Sequence, residues 1–147
     1  MQEDIKDILI KLVLSVIFCG IIGAEREIRH KNAGMRTHIL VGIGSTLITL
    51  TSFYIFAILK HETAMDPTRI ISNIITGIGF LCGGTIIRGG TSVMGLTTAA
   101  SLWTVSAIGI AVGCGQYMAA LLVTVVVLII LVCLRSVEKF LAKHFNK

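Results

Sequence analysis

The chain has 147 residues, 54% of them hydrophobic and only 14% charged, where a soluble domain carries about 25% charged residues. That balance leaves room for one domain and excludes a soluble helical bundle, whose helices would each show a polar stripe that residues 123–134 lack. The net charge of +5 does not point to nucleic acid, because the basic residues flank apolar runs with almost no aromatic interleaving.

The opening MQEDIKD is acidic, has no basic n-region and precedes no small-residue cleavage site. It does not read as a removable signal peptide, so the first apolar run, residues 8–24, is expected to stay as a membrane helix. Lys11 near its start can snorkel to the interface. A basic loop follows with Arg26, Arg29, Lys31 and Arg36, and Asn32-Ala33-Gly34 is expected to turn it. The second span, residues 38–59, carries Ser45, Thr46, Thr49, Thr51 and Ser52. These hydroxyls either bond to helix carbonyls and neighbouring helices or line a solute path.

Residues 60–65 form a short connection. Asp66 then suits an N-cap and Pro67 the first helical position. The third span is expected at 70–87 and is rich in glycine. Gly79 and Gly83 form a GxxxG pair, with Gly77 and Gly84 nearby, so another backbone can approach closely there. Arg88-Gly89-Gly90-Thr91-Ser92 reads as a flexible glycine loop or, more weakly, as an anion cradle. Residues 96–112 make a fourth span near the short limit, in which Gly109 and Gly113 repeat the GxxxG spacing. Thr97 and Thr98 start it, as helix caps or as bonds to the third span, and Trp103 needs a buried acceptor or an interfacial site. After the tight turn 113–116 the fifth span runs over 117–134, antiparallel to the fourth, and a basic tail closes the chain.

The predicted fold is therefore all-α, a polytopic bundle of about five transmembrane helices in a single domain. The side holding the N-terminus, the 60–65 connection and the Gly113 turn carries four Lys and Arg residues, and the other side carries nine. The positive-inside rule then places the N-terminus outside and the C-terminus in the cytoplasm. At the span ends, Glu25 is a candidate ion-pair partner for Arg88, with hydrated headgroup contacts as the alternative. Arg69, unfavourable in a helix's first turn, is expected to lean on Asp66 or on the acidic N-terminus.

Enzyme signals are absent. His61-Glu62-Thr63-Ala64 lacks the second histidine of a zinc-protease motif, and the glycines near Arg88 lack the GK[ST] of a P-loop. Cys19, Cys82, Cys114 and Cys133 have no metal-ligand spacing and read as packing residues. No cofactor is expected.

Five phrases carry a resemblance: GAEREIRHKNAGMRTHILVGIGS, DPTRI, GIGFL, IIRGG and GLTTAASLW. In this order, over residues 8–116, the chain resembles the MgtC/SapB family of bacterial membrane proteins. Family members commonly read GIGFLGAG where this chain has Cys82 followed by Gly83 and Gly84. Many longer members add a soluble domain, and the expectation here is the transmembrane part without one. The matching motifs mark Glu25, Arg26, Arg36, Asp66, Arg69, Gly77, Gly79, Gly83, Gly84, Arg88, Gly95, Thr97, Thr98 and Trp103 as candidate functional or packing residues. The resemblance implies a multi-pass protein of the bacterial inner membrane, tied to growth at low magnesium and to survival within host phagocytes. It implies regulation by helix contact with a membrane partner, the membrane sector of the proton-driven ATP synthase. A homodimer is compatible with this. The competing reading is an ion transporter or channel, which would usually leave ionisable groups within spans. No Asp or Glu falls near the middle of any span.

Overall fold

Each of the five apolar runs forms a helix. The computed structural model describes residues 4–59 and 66–145, with side chains described as far as residue 134. The elements are α1 (Ile5–Ile28), α2 (Met35–Leu59), α3 (Thr68–Gly84), β1 (Ile87–Gly89), β2 (Ser92–Met94), α4 (Leu96–Gly113) and α5 (Tyr117–Phe145). The 60–65 connection with its His61-Glu62 pair, and the side chains of the basic tail, lie outside the described residues. In α1, α2, α4 and the Tyr117–Leu134 part of α5 the chain is long and apolar enough to cross a membrane. α3 has 17 residues, about 25 Å at 1.5 Å per residue, and falls short of a full hydrocarbon core.

Two turns close with the same chemistry. At the end of α1 the N–H groups of His30 and Lys31 donate to the carbonyls of Glu27 and Arg26, with His30 at φ 53°. At the end of α4, Gly115 and Gln116 donate to Val112 and Ala111, with Gly115 at φ 78°. Both are Schellman turns that satisfy the last carbonyls of a helix. The chain turns first at His30 and bends again at Asn32-Ala33, within the expected Asn32-Ala33-Gly34 segment.

α2 runs parallel to α4 and antiparallel to α1. Contacts advance together along the pair, His38 with Ser101, Ser45 with Ser106 and Thr49 with Gly113. Glycines permit this closeness. A methyl on Gly109 would collide with the Gly42 carbonyl, and one on Gly113 would meet Thr49 at 2.7 Å. Against α1, one on Gly42 would collide with Cys19, and one on Gly23 would lie 2.7 Å from the Met35 Cα. Lipid supplies no hydrophobic drive between helices, so this backbone proximity and the hydrogen bonds it permits hold the bundle.

The interior is polar and small, and the exterior apolar. His38, Gly42, Ser45, Thr46, Thr49 and Ser52 recur every three or four residues down the buried face of α2, while Leu40, Leu47 and Ile48 are exposed. The hydroxyls are occupied. Ser45 and Ser106 bond at 2.9 Å, the one proton of Thr46 Oγ1 lies between the carbonyls of Gly109 at 2.9 Å and Gly42 at 3.0 Å, and Thr49 donates to the Ser45 carbonyl at 2.8 Å. An apolar cluster beside them joins Phe18, Cys19 and Ile22 of α1 to Val105, Ile108 and Val112 of α4 and Ala120 of α5. A second holds Ile78 and Cys82 of α3 against Ala99 and Leu102 of α4.

The glycine-rich break is an ordered hairpin rather than a loose loop. Ile87 pairs with Met94, Arg88 with Val93 and Gly89 with Ser92. That register leaves Gly90-Thr91 as a two-residue turn, and Gly90 at φ 60° supplies the positive φ that a tight hairpin needs at its first central position. Strands of three residues are too short to show alternation in the sequence.

Candidate functional site

Two regions carry the residues that the sequence singles out. The first is a charged belt at the α1–α2 end of the bundle. Arg26, 4% exposed, pairs with the Glu25 carboxylate through Nε at 2.6 Å, and Arg29 Nε reaches the other oxygen of Glu25 at 3.3 Å. Glu25 and Arg88 are not brought together. Glu25 is already used by arginines one and four residues ahead on its own helix, and β1 holds Arg88 on the exposed hairpin. Glu27 Oε2 accepts the Met35 N–H at 2.7 Å and so caps α2 from the preceding helix. Arg36 is exposed in the first turn of α2.

The second region is α3 with its two ends. Pro67 has helical dihedrals (φ −63°, ψ −24°), and Asp66 Oδ1 accepts both the Thr68 N–H at 2.8 Å and the Thr68 hydroxyl at 2.7 Å. These two bonds, with the Arg69 charge nearby, hold the Asp66 carboxyl below the usual carboxylate range. Among the described residues Arg69 forms no ion pair with Asp66, whose Oδ1 is bonded to Thr68. Along the helix, Ile74, Ile78 and Cys82 face inward at a spacing of four. Arg69, Thr76, Phe80 and Gly83 occupy the opposite face and are exposed, Phe80 to 86%, while Asn73 borders α2.

Gly77, Gly79, Gly83 and Gly84 have nothing within 4 Å of the position a side chain would take. The close approach expected of them is not made within the chain. The glycines that do admit a neighbouring helix closely are Gly23, Gly42, Gly109 and Gly113, of which the sequence marked only the last two as a packing pair. A groove of about 480 Å³ runs between α2 and α3, lined by Leu40, Gly44, Ile48, Asn73, Gly77 and Leu81.

At the far end of α3, Gly95 has φ 91°, and a methyl there would collide with the Thr85 carbonyl, so only glycine closes the hairpin against α3. Gly95 also occupies the cap position of α4, which no side chain caps. Thr97 is exposed, Thr98 is buried, and Trp103 is exposed on the flank of α4. His38 was missed by the sequence reading. Its ring is fully buried between the Gly34 carbonyl and Ser101, and its place at the head of the small and polar stripe on α2 was the available signal. Among the described residues no three His, Cys, Asp or Glu side chains come together to hold a metal ion.

The MgtC family profile matches residues 12–140. The chain belongs to the MgtC family. Its relatives include YhiD of Escherichia coli K12, by its name a candidate magnesium transporter, 41% identical over 85% of this chain and 59% of its own length. The MgtC protein of Salmonella typhimurium is 39% identical over 87% of this chain and 52% of its own. An uncharacterised Synechocystis protein is 38% identical over 90% and 54%. This MgtC-family chain thus spans little more than half the length of those relatives. No solved structure matches it.

Proposed function

We propose that this MgtC-family protein is a non-enzymatic regulator in the bacterial inner membrane that works by helix contact with another membrane protein. The observation that carries the reading is the outward face of α3. Gly79, Gly83, Gly84 and the polar Thr76 are exposed there with nothing packed against the glycines, where the other helices present mostly large apolar side chains. In a membrane such a face favours close packing against another helix, since small residues permit backbone approach and polar side chains bond across the contact. By family resemblance the partner is the membrane sector of the proton-driven ATP synthase, and the physiological setting is growth at low magnesium and, in pathogens, survival in macrophages. A second copy of the chain is the other occupant the face would fit. With the N-terminus outside and the C-terminus inside, the hairpin and the Glu25 belt would face the cytoplasm.

The test is a Gly79→Leu, Gly83→Leu double variant. The first carbon of either side chain meets nothing within 4 Å in the chain, so folding should be kept while growth at low magnesium and crosslinking to the partner are lost. A folded double variant that supports growth like the parent would count against the proposal.

Ion transport is the second reading, favoured by the name of the E. coli relative and by the hydroxyls inside the bundle. The α2 hydroxyls among them are bonded to one another and to helix carbonyls, which works against an open path. Protein-dependent magnesium, proton or potassium flux into sealed liposomes, lost in an Asp66→Ala control, would establish this reading instead.

A further inference from the structure

His38 lies in the first turn of α2 with no exposed surface, and both of its ring nitrogens meet groups that are already committed. Nδ1 is 2.8 Å from the Gly34 carbonyl, which can only accept, so Nδ1 carries a proton. Nε2 is 3.0 Å from Ser101 Oγ on α4. Ser101 Oγ is in turn 2.8 Å from the Thr98 carbonyl, again an obligate acceptor. A serine hydroxyl has one proton to give. When that proton goes to Thr98, Nε2 must donate to Ser101, and the ring is a doubly protonated cation. When the ring is neutral, Nε2 is a bare lone pair, the Ser101 proton turns to it, and the Thr98 contact has no proton left. All three contacts are satisfied together only with a charged ring.

We propose that His38 is a proton-operated latch between the α1–α2 turn and the first turn of α4. Protonation of Nε2 from water sends the Ser101 proton to the Thr98 carbonyl, and return of the Nε2 proton to water takes it back. The latch stands on hydrogen-bond accounting alone and does not depend on the partner reading above.

The charged groups nearest the ring lie on α1 and in the first turn of α2. From α1 the facing charge is Arg26, matched by Glu25, which also holds Arg29. Glu27 is engaged by the Met35 N–H. Arg36 on α2 is exposed. α4 presents no titratable side chain from Leu96 to Ser106 apart from these hydroxyls, and α3 brings Cys82, whose Sγ donates to the Ala99 carbonyl at 3.1 Å. Thr98 follows Gly95 by three residues, so the latch acts where the hairpin enters α4.

The experiment uses the full chain with 15N-labelled histidine in lipid nanodiscs, with the His38 signals assigned by loss in His38→Gln or by their shift in Ser101→Ala. Ring-nitrogen spectra over a pH series should pass from both nitrogens protonated at the acid end to a proton on Nδ1 alone. Amide protection in the first turn of α4, with the intrinsic pH dependence of exchange divided out, should fall about fivefold as the ring loses its charge, the equivalent of one net hydrogen bond of about 1 kcal/mol. Ser101→Ala should keep the ring titration and abolish the change in exchange. A ring that holds one state across the range, a neutral ring with its proton on Nε2, or an exchange response that survives in Ser101→Ala would each overturn the latch.

Discussion

Replacing Gly109 by alanine is the sharpest probe of how the bundle is held. The added methyl would collide with the Gly42 carbonyl oxygen and lie 2.9 Å from Ser45 Cβ, where ordinary contact begins near 3.4 Å. Neither neighbour can swing aside, because one is helix backbone and the other is the first atom of a side chain. α2 and α4 must therefore separate, which stretches the Thr46 to Gly109 bond and the Ser45 to Ser106 bond, both 2.9 Å. Overpacking costs about 1–3 kcal/mol. Interhelical hydrogen bonds in membranes contribute about 0.6–1.7 kcal/mol each. Thr46 keeps its bond to the Gly42 carbonyl, so a total loss of about 2–4 kcal/mol is expected. Gly83→Ala is the matched control. It meets nothing within 4 Å and gains up to about 1 kcal/mol of helix propensity. Reversible unfolding in mixed detergent micelles reads both variants on one scale. A Gly109→Ala protein as stable as Gly83→Ala would refute the claim that backbone contact between α2 and α4 holds the bundle.

Two further outcomes follow from the charged groups. Glu25→Ala leaves Arg26 buried without its carboxylate and should destabilise by about 3–5 kcal/mol, while Arg88→Ala on the exposed hairpin should stay within about 0.5 kcal/mol; equal effects in the same unfolding assay would restore the Glu25–Arg88 pairing. Asp66 has a folded-state carboxyl held below its unfolded value by Thr68, so its cap is intact at neutral pH and is lost as pH falls through the folded value. Amide protection at the start of α3, with the intrinsic pH dependence of exchange divided out, should therefore fall at acid pH in the parent and be flat in Asp66→Asn.

The apolar runs made the helices legible, because twenty hydrophobic residues in a row have few other solutions. Gly109 and Gly113 were equally legible as a packing pair. The identical spacing of Gly79 and Gly83 led to the same expectation and does not produce it within the chain. Spacing says that a backbone can approach, and only the orientation of the helix decides whether one does. Ile74, Ile78 and Cys82 turn α3 so that its glycines face out. Gly42 and Gly23 went unmarked for the converse reason, since each meets a residue on another helix rather than a glycine four places along its own. The choice of Arg88 for Glu25 followed span ends placed on one side of the membrane. The structure favours Arg26 and Arg29, which share a helix with Glu25 and need no assembly to reach it.

The central claim is that the outward face of α3 is covered by protein in the membrane. Photo-crosslinking in living cells tests it directly, with a photoreactive residue placed in turn at Thr76, Phe80 and Gly83, and at Leu121 and Val125 on α5 as lipid-facing references. Discrete protein adducts from the α3 positions and none from α5 are predicted, with the adduct mass separating a second copy of the chain from a different partner. Adducts to lipid alone from all three α3 positions would contradict the account.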